Sequence, residues 1–163
     1  TEIYTLSLRD ALPIFDYRIV PVSMKRCVVK LDDKKSSSKV LRWQSIAEAA
    51  AKQSKRGIIP KIADVMSFDE ALKESASYDI KLLPYEMAEK SAMDKTRAIF
   101  KSMEPGQKIS VFIGPEGGFD ETEIEKAKQS GQTIITLGKR ILRTETAGMT
   151  VMSWIMLFTD GKE

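Results

Sequence analysis

No histidine occurs in the chain, and Cys27 is its only cysteine. These two absences exclude an intramolecular disulfide, a Cys/His zinc centre and every catalytic arrangement that runs on imidazole. No metal is expected. The longest apolar run, near Ala147 to Phe158, falls well short of the roughly 20 residues of a membrane span, so no membrane partner is expected either. The chain also has no GxGxxG, and no Lys-Ser/Thr follows a glycine at phosphate-loop spacing. What remains for chemistry is carboxylates, Arg, Lys, hydroxyls, backbone or a bound cofactor.

The 163 residues suffice for one well-buried core and are too few for two full domains, and 42% hydrophobic with 30% charged residues is an ordinary globular composition. The net charge of +3 hides an asymmetry. Between Phe15 and Lys61 twelve Lys/Arg face four Asp/Glu, whereas from Ile62 to Glu163 thirteen face seventeen. A basic first third is either a footprint for a polyanion such as RNA or a solvated surface.

Residues 1–14, TEIYTLSLRDALPI, resemble almost letter for letter the translation of a common DNA-sequencing adapter. They are set aside from the fold as a non-native stretch, and residues 15–163 are taken as the domain. Tyr17 to Val22 is a β-branched apolar run, and Arg26 to Leu31 is a second extended candidate. Asp32 to Lys39 reads as a charged, Ser-rich loop. Helical spacing follows at Leu41, Ile46, Ala49 and Ala50, widened by Trp43 and Ala47, with an end before Gly57. Ile58 to Ile62 is the next strand.

Ser67-Phe68-Asp69-Glu70 fits a capping box, and Asp120-Glu121-Thr122-Glu123 repeats the pattern. Between them lie a strand over Tyr78 to Tyr85, a helix over Met93 to Met103 ended by Pro105-Gly106, and a buried strand over Lys108 to Ile113. Gln132 to Leu137 is the last strand. Thr144 is the expected N-cap of a final helix running to about Phe158, apolar on nearly every face and so expected to be buried on several sides. The alternation of strands and helices predicts an α/β fold with a parallel sheet and crossover helices. Trp43 and Trp154 read as core aromatics.

Two Gly-containing loops follow strands and precede helices: Gly114-Pro115-Glu116-Gly117-Gly118, and Leu137 to Ala147. Ligands of open α/β sheets bind at the carboxyl ends of strands, so the two loops are expected to build one pocket. Pro115 lacks the backbone donor that a phosphate cradle needs. A ligand with an adenine ring and a positive sulfonium suits the loops better: glycines permit close backbone approach, and Ile141 and Leu142 offer apolar cover for a ring.

The segments IGPEGGF (Ile113 to Phe119) and LGKRILRTETA (Leu137 to Ala147), in this order and spacing, resemble the signature of the RsmE family of bacterial 16S ribosomal RNA uracil-N3 methyltransferases, within the SPOUT superfamily. Arg42-Trp43-Gln44 with Glu48, Ala49, Gln53 and Arg56 resembles that family's helix, and the likeness runs from Tyr17 to Phe158. The resemblance implies a SPOUT-type, Rossmann-like parallel sheet with a C-terminal deep trefoil knot, in which the last helix threads an earlier loop. It also implies S-adenosyl-L-methionine as methyl donor, a homodimer, a cytoplasmic location, and 16S rRNA of the small ribosomal subunit as partner. The family's N-terminal PUA-like barrel has no counterpart here, which agrees with truncation at the adapter-like stretch.

Matching positions assign the cofactor to Gly114, Pro115, Glu116, Gly117 and Gly118 in the first loop and to Leu137, Gly138, Ile141, Leu142 and Ala147 in the second. N3 of uracil must lose a proton. Arg143 is the first candidate to serve this step, as a cation holding the uracil oxygens or a phosphate. Glu145 is the second, as proton acceptor or as an orienter of Arg143. A salt bridge at the helix start is the bland alternative for both. Arg42, Gln53 and Arg56 are candidates for RNA or dimer contacts. The rival readings are a non-catalytic RNA-binding module or inactive fragment, and a Rossmann-like enzyme with another adenosine cofactor.

Overall fold

A computed structural model describes residues 2–4, 17–27, 33–86 and 92–160. The elements, in chain order, are β1 (Glu2–Tyr4), β2 (Arg18–Val20), β3 (Val22–Ser23), α1 (Asp33–Gln53), β4 (Lys61–Ile62), β5 (Met66–Ser67), α2 (Phe68–Glu74), β6 (Ile80–Pro84), α3 (Ala92–Lys101), β7 (Ile109–Phe112), α4 (Glu121–Gln129), β8 (Thr133–Ile135) and α5 (Thr144–Thr159). Six strands form one sheet in the order β4-β2-β1-β7-β6-β8, every pair parallel, and β3 pairs with β5 beside it.

Parallel strands covered on both faces carry apolar side chains at consecutive positions, because each alternate residue meets a different helical layer. Ile19, Leu82, Val111 and Ile135 point into a core shared with Ala47 of α1, Phe100 of α3, and Val151, Met152 and Ile155 of α5. Their neighbours Val20, Leu83 and Phe112 point the other way, onto Phe68, Ala71 and Leu72 of α2 and Ile124 and Ala127 of α4. The expected parallel α/β architecture is therefore present as a sheet between two helical layers. Both tryptophans pack against the first core, as core aromatics should.

Several elements differ from the sequence expectations. β1 belongs to the stretch set aside as outside the fold, yet it lies between β2 and β7, with Ile3 opposite both Ile19 and Val111. A gap in that slot would leave buried backbone donors and acceptors of β2 and β7 unpaired, and an extended segment of almost any sequence satisfies them. The Ser-rich segment expected as a loop is the first part of α1, which begins at Asp33. Val40 and Trp43 pack on the core from this helix, and tertiary packing outweighs the weak helix preference of serine. The buried face of α1 runs through Ala47, Ala50 and Ala51, while Leu41, placed on the apolar stripe, is 71% exposed.

The strand expected over Ile58 to Ile62 shrinks to Lys61–Ile62, with Ile58 and Ile59 exposed. Gln44 closes this edge: its side-chain oxygen accepts from Ile62 N at 2.9 Å and its nitrogen donates to the Pro60 carbonyl at 3.2 Å. Of the extended candidate Arg26 to Leu31, Arg26 lies in a turn, and Val28 to Leu31 lie outside the described residues. α5 has one buried stripe, Gly148, Val151, Met152 and Ile155, rather than several buried sides, and Leu157 is 74% exposed. Among the described residues no helix is long and apolar enough to cross a membrane.

Candidate active site

The two Gly-containing loops do converge. β7 delivers the first and β8 the second, and both line one cavity of about 530 Å³, a size suited to a cofactor. β6 stands between β7 and β8 in the sheet, so its own exit, Pro84 and Glu86, forms a third wall. Sequence reasoning missed this wall because Leu83-Pro84-Tyr85-Glu86 contains no glycine. The signal was present all the same, in an apolar strand followed by an irregular segment.

The first loop is fixed at both ends. Phe119 is buried on Phe68, with ring centroids 6.3 Å apart, and Gly114 crosses its ring so closely that a Cβ there would lie 3.0 Å from two ring carbons. Gly118 N donates to the Pro115 carbonyl at 2.8 Å, and Gly118 has φ +68°, a left-handed conformation natural to glycine. Asp120 then caps α4. Gly114 is thus glycine for the sake of Phe119. Gly114→Ala forces an ordered ring to move, and overpacking of this kind costs about 1–3 kcal/mol. The expected result in a ligand-binding titration is a weakened pocket, with recovery when Phe119→Leu is added; an unperturbed Gly114→Ala pocket would contradict the packing.

Of the first-loop residues assigned to the cofactor, Gly114, Pro115, Glu116 and Gly118 line the cavity, and Gly117 does not. A Cβ on Gly117 would meet Arg26 at 3.1 Å, so this glycine faces away from the cavity. In the second loop, Ile141, Leu142 and Ala147 line the cavity together with Arg143 and Glu145. Leu137 and Gly138 line a smaller adjoining recess of about 70 Å³, which shares Pro84, Glu86, Ile141, Leu142 and Ala147 with the main cavity. Thr136 shapes this loop by accepting from Gly138 N at 3.2 Å. Ile141 is 84% exposed and lines the cavity, where a bound ring would cover it.

The N-cap of α5 is Arg143 rather than the expected Thr144, which is the first helical residue and is buried. Arg143 makes no side-chain cap hydrogen bond, and among the described residues neither it nor Glu145 has an ion-pair partner. The salt-bridge reading of the two residues finds no support there. Arg42 and Gln53 lie on the exposed face of α1 and Arg56 just beyond its end; none of the three lines the cavity.

The walls suit a zwitterionic adenosyl ligand. Pro84, Ile113, Ile141, Leu142 and Ala147 are apolar, as a purine face requires, while Glu86, Glu116 and Glu145 favour cationic groups. The free amides and positive dipole end of the first turn of α5 favour a carboxylate. Cys27 lines neither the cavity nor the recess, and burial, together with the Glu123 and Glu116 carboxylates, pushes its thiol pKa up.

The cap at the exit of the first loop is sensitive to acid. Hydrogen bonds from the Thr122 hydroxyl and amide, with the Lys25 ammonium beside them, lower the Asp120 pKa from 3.8 to about 2. A group held below its unfolded value stabilises the folded form fully above pH 4, and that contribution is lost as pH falls toward 2. The carboxyl carbon of Asp120 should therefore titrate near 2 by NMR; a midpoint at or above 3.8 would remove this cap from the account.

A parallel sheet covered on both faces, with a cavity of apolar walls and a few charged side chains where β6, β7 and β8 end, defines an α/β protein of the nucleotide-cofactor-binding class. The chain belongs to the RNA methyltransferase domain family, whose family model matches residues 16–156. It is 38% identical over 145 residues to ribosomal RNA small subunit methyltransferase E of Bacillus subtilis (strain 168), an alignment that covers 88% of this chain and 57% of the relative. The protein of the same name from Mesomycoplasma hyopneumoniae (strain 232) is 33% identical over 153 residues, covering 94% and 63%. Among solved structures, ribosomal RNA small subunit methyltransferase E from Neisseria gonorrhoeae bound to S-adenosyl methionine superposes with a TM-score of 0.79 at 28% identity, covering 97% of this chain and 65% of that one. The chain thus spans about three fifths of the length of the curated relatives it matches.

Proposed function

We propose that this protein transfers the methyl group of S-adenosylmethionine to N3 of a uridine in 16S ribosomal RNA of the small subunit. The observation that carries the reading is the convergence of the loops after β6, β7 and β8 on one cavity that pairs apolar walls with carboxylates and a single arginine. The resemblance of both loops to the RsmE signature, and a relative solved with S-adenosyl methionine bound, support it.

The donor, when bound, supplies a methyl already activated by its sulfonium, so the protein's main tasks are alignment and exclusion of water. Ile141, Leu142 and Ala147 would cover an adenine ring, Leu137 and Gly138 line the adjoining recess, and Gly114, Pro115, Glu116 and Gly118 would hold the rest of the donor from the first loop. Glu145 takes the proton from N3. Arg143 holds the negative charge that this leaves on the uracil oxygens, the role of a fixed cation at developing charge. Arg42, Gln53 and Arg56 provide outlying RNA or dimer contacts on and beyond α1, where Lys52 and Lys55 are also exposed.

The proposal extends to a homodimer, for which exposed Leu157 on the apolar α5 supplies an uncovered surface, to a cytoplasmic location, and to a C-terminal trefoil knot. The knot suits the way the start of α5 adjoins loops from β6 and β7. Calorimetric titration with S-adenosylmethionine, followed by methyl transfer to 16S rRNA, tests the enzyme reading. Binding of donor and labelling of RNA are expected. RNA binding without donor binding would favour a non-catalytic module.

A further inference from the structure

Glu123, on the first turn of α4, is 3% exposed, and the chemistry above makes no use of it. Each of its oxygens accepts a backbone N–H from a different segment: Oε2 from Asp120 at 2.9 Å, and Oε1 from Lys25 at 2.9 Å. A capping box needs only the first of these bonds. Glu70, in the matching box of α2, is exposed and directs its bonds to Ser67 alone, at 2.8 Å to the amide and 2.6 Å to the hydroxyl.

The turn that Glu123 captures bears on the first loop. Lys25 Nζ donates to Asp120 at 3.2 Å and to Thr122 at 2.6 Å, and Arg26 donates to the Gly117 carbonyl at 3.4 Å. Gly117 rests on Arg26 so closely that a Cβ would stand 3.1 Å from its Cβ and 3.2 Å from its carbonyl oxygen. The opposite side of the same loop is cavity wall.

We propose that Glu123 is a positioning residue for the methyl-donor pocket: its buried carboxylate ties the Lys25–Arg26 turn to the exit of the first loop and thereby holds Gly117 on Arg26 and Gly118 at the cavity wall. The effect on donor binding rests on the function proposed above; the effect on the loop does not. Removing the carboxylate leaves two N–H groups without their acceptor, and Glu123→Gln restores at most one bond, because its amide nitrogen faces a donor.

The test measures amide exchange at Gly118, S-adenosylmethionine affinity and melting temperature in the full chain, with Glu70→Ala as a control of equal capping chemistry. In Glu123→Ala, exchange at Gly118 and the Kd for S-adenosylmethionine should each rise about 5- to 100-fold, with Glu123→Gln intermediate. Glu70→Ala should lower the melting temperature and leave both readings alone. A folded Glu123→Ala with unchanged Gly118 exchange overturns the proposal. If Glu123→Ala does not fold, Gly117→Ala keeps the capping box, lifts the loop from Arg26 and must raise both readings; unchanged values overturn the proposal equally. A parent chain that binds no S-adenosylmethionine, while Gly118 exchange still responds to Glu123→Ala, refutes the pocket's assignment and leaves the brace standing.

Discussion

Arg143→Ala is expected to reduce methyl transfer to 16S rRNA by about 10²- to 10³-fold in kcat, the usual consequence of deleting one preorganised donor to developing charge. Its side chain lines the cavity at the start of α5, is exposed, and has no ion-pair partner among the described residues. Truncation should therefore leave the fold within about 0.5 kcal/mol of the parent, as for most surface substitutions. S-adenosylmethionine affinity should change little. Arg143→Lys keeps the charge and loses the planar fork, so it should recover only part of the rate. Transfer of tritiated methyl groups under single-turnover conditions reads the effect, and a rate equal to the parent's would remove Arg143 from the mechanism.

Phe100→Ala is expected to cost about 3–5 kcal/mol of stability, a large share of what a domain of this size possesses. Phe100 is 1% exposed and meets Trp154 edge-on at a centroid distance of 5.5 Å, with Phe158 at 6.1 Å. It joins α3 to α5 over the strands of the first core, and the cavity left by alanine would be apolar and dry. Denaturant unfolding followed through tryptophan fluorescence measures the loss. Phe100→Leu should recover most of it; a loss under about 1 kcal/mol for the alanine variant would show that the seam repacks.

Elements set by neighbours in sequence were legible. Ser67 with Glu70, and Asp120 with Glu123, announce α2 and α4 because a capping box closes within four residues. The parallel sheet followed from mainly apolar runs such as Ile109–Phe112, buried at every position, Ser110 included. Readings that depended on which face meets which neighbour went astray. The Ala-rich α1 offers several nearly equivalent stripes, and packing of Val40, Trp43 and Ala47 selected one that leaves Leu41 in water. The glycines were read as permitting close backbone approach to a ligand; Gly114 and Gly118 line the cavity, but Gly114 also makes room for Phe119, and Gly117 packs on Arg26 instead.

By itself the sequence determined the two capped helices, the alternation of strand and helix, and the pair of loops at strand ends, since hydrogen bonds and periodicity within a few residues suffice for each. Only the tertiary structure decided that β6 stands between β7 and β8, that Pro84 and Glu86 thereby join the cavity, and that Glu123 reaches across to Lys25. Strand order and long-range contacts come from burying both faces of one sheet at once, a condition satisfied by the whole chain and written in no single segment.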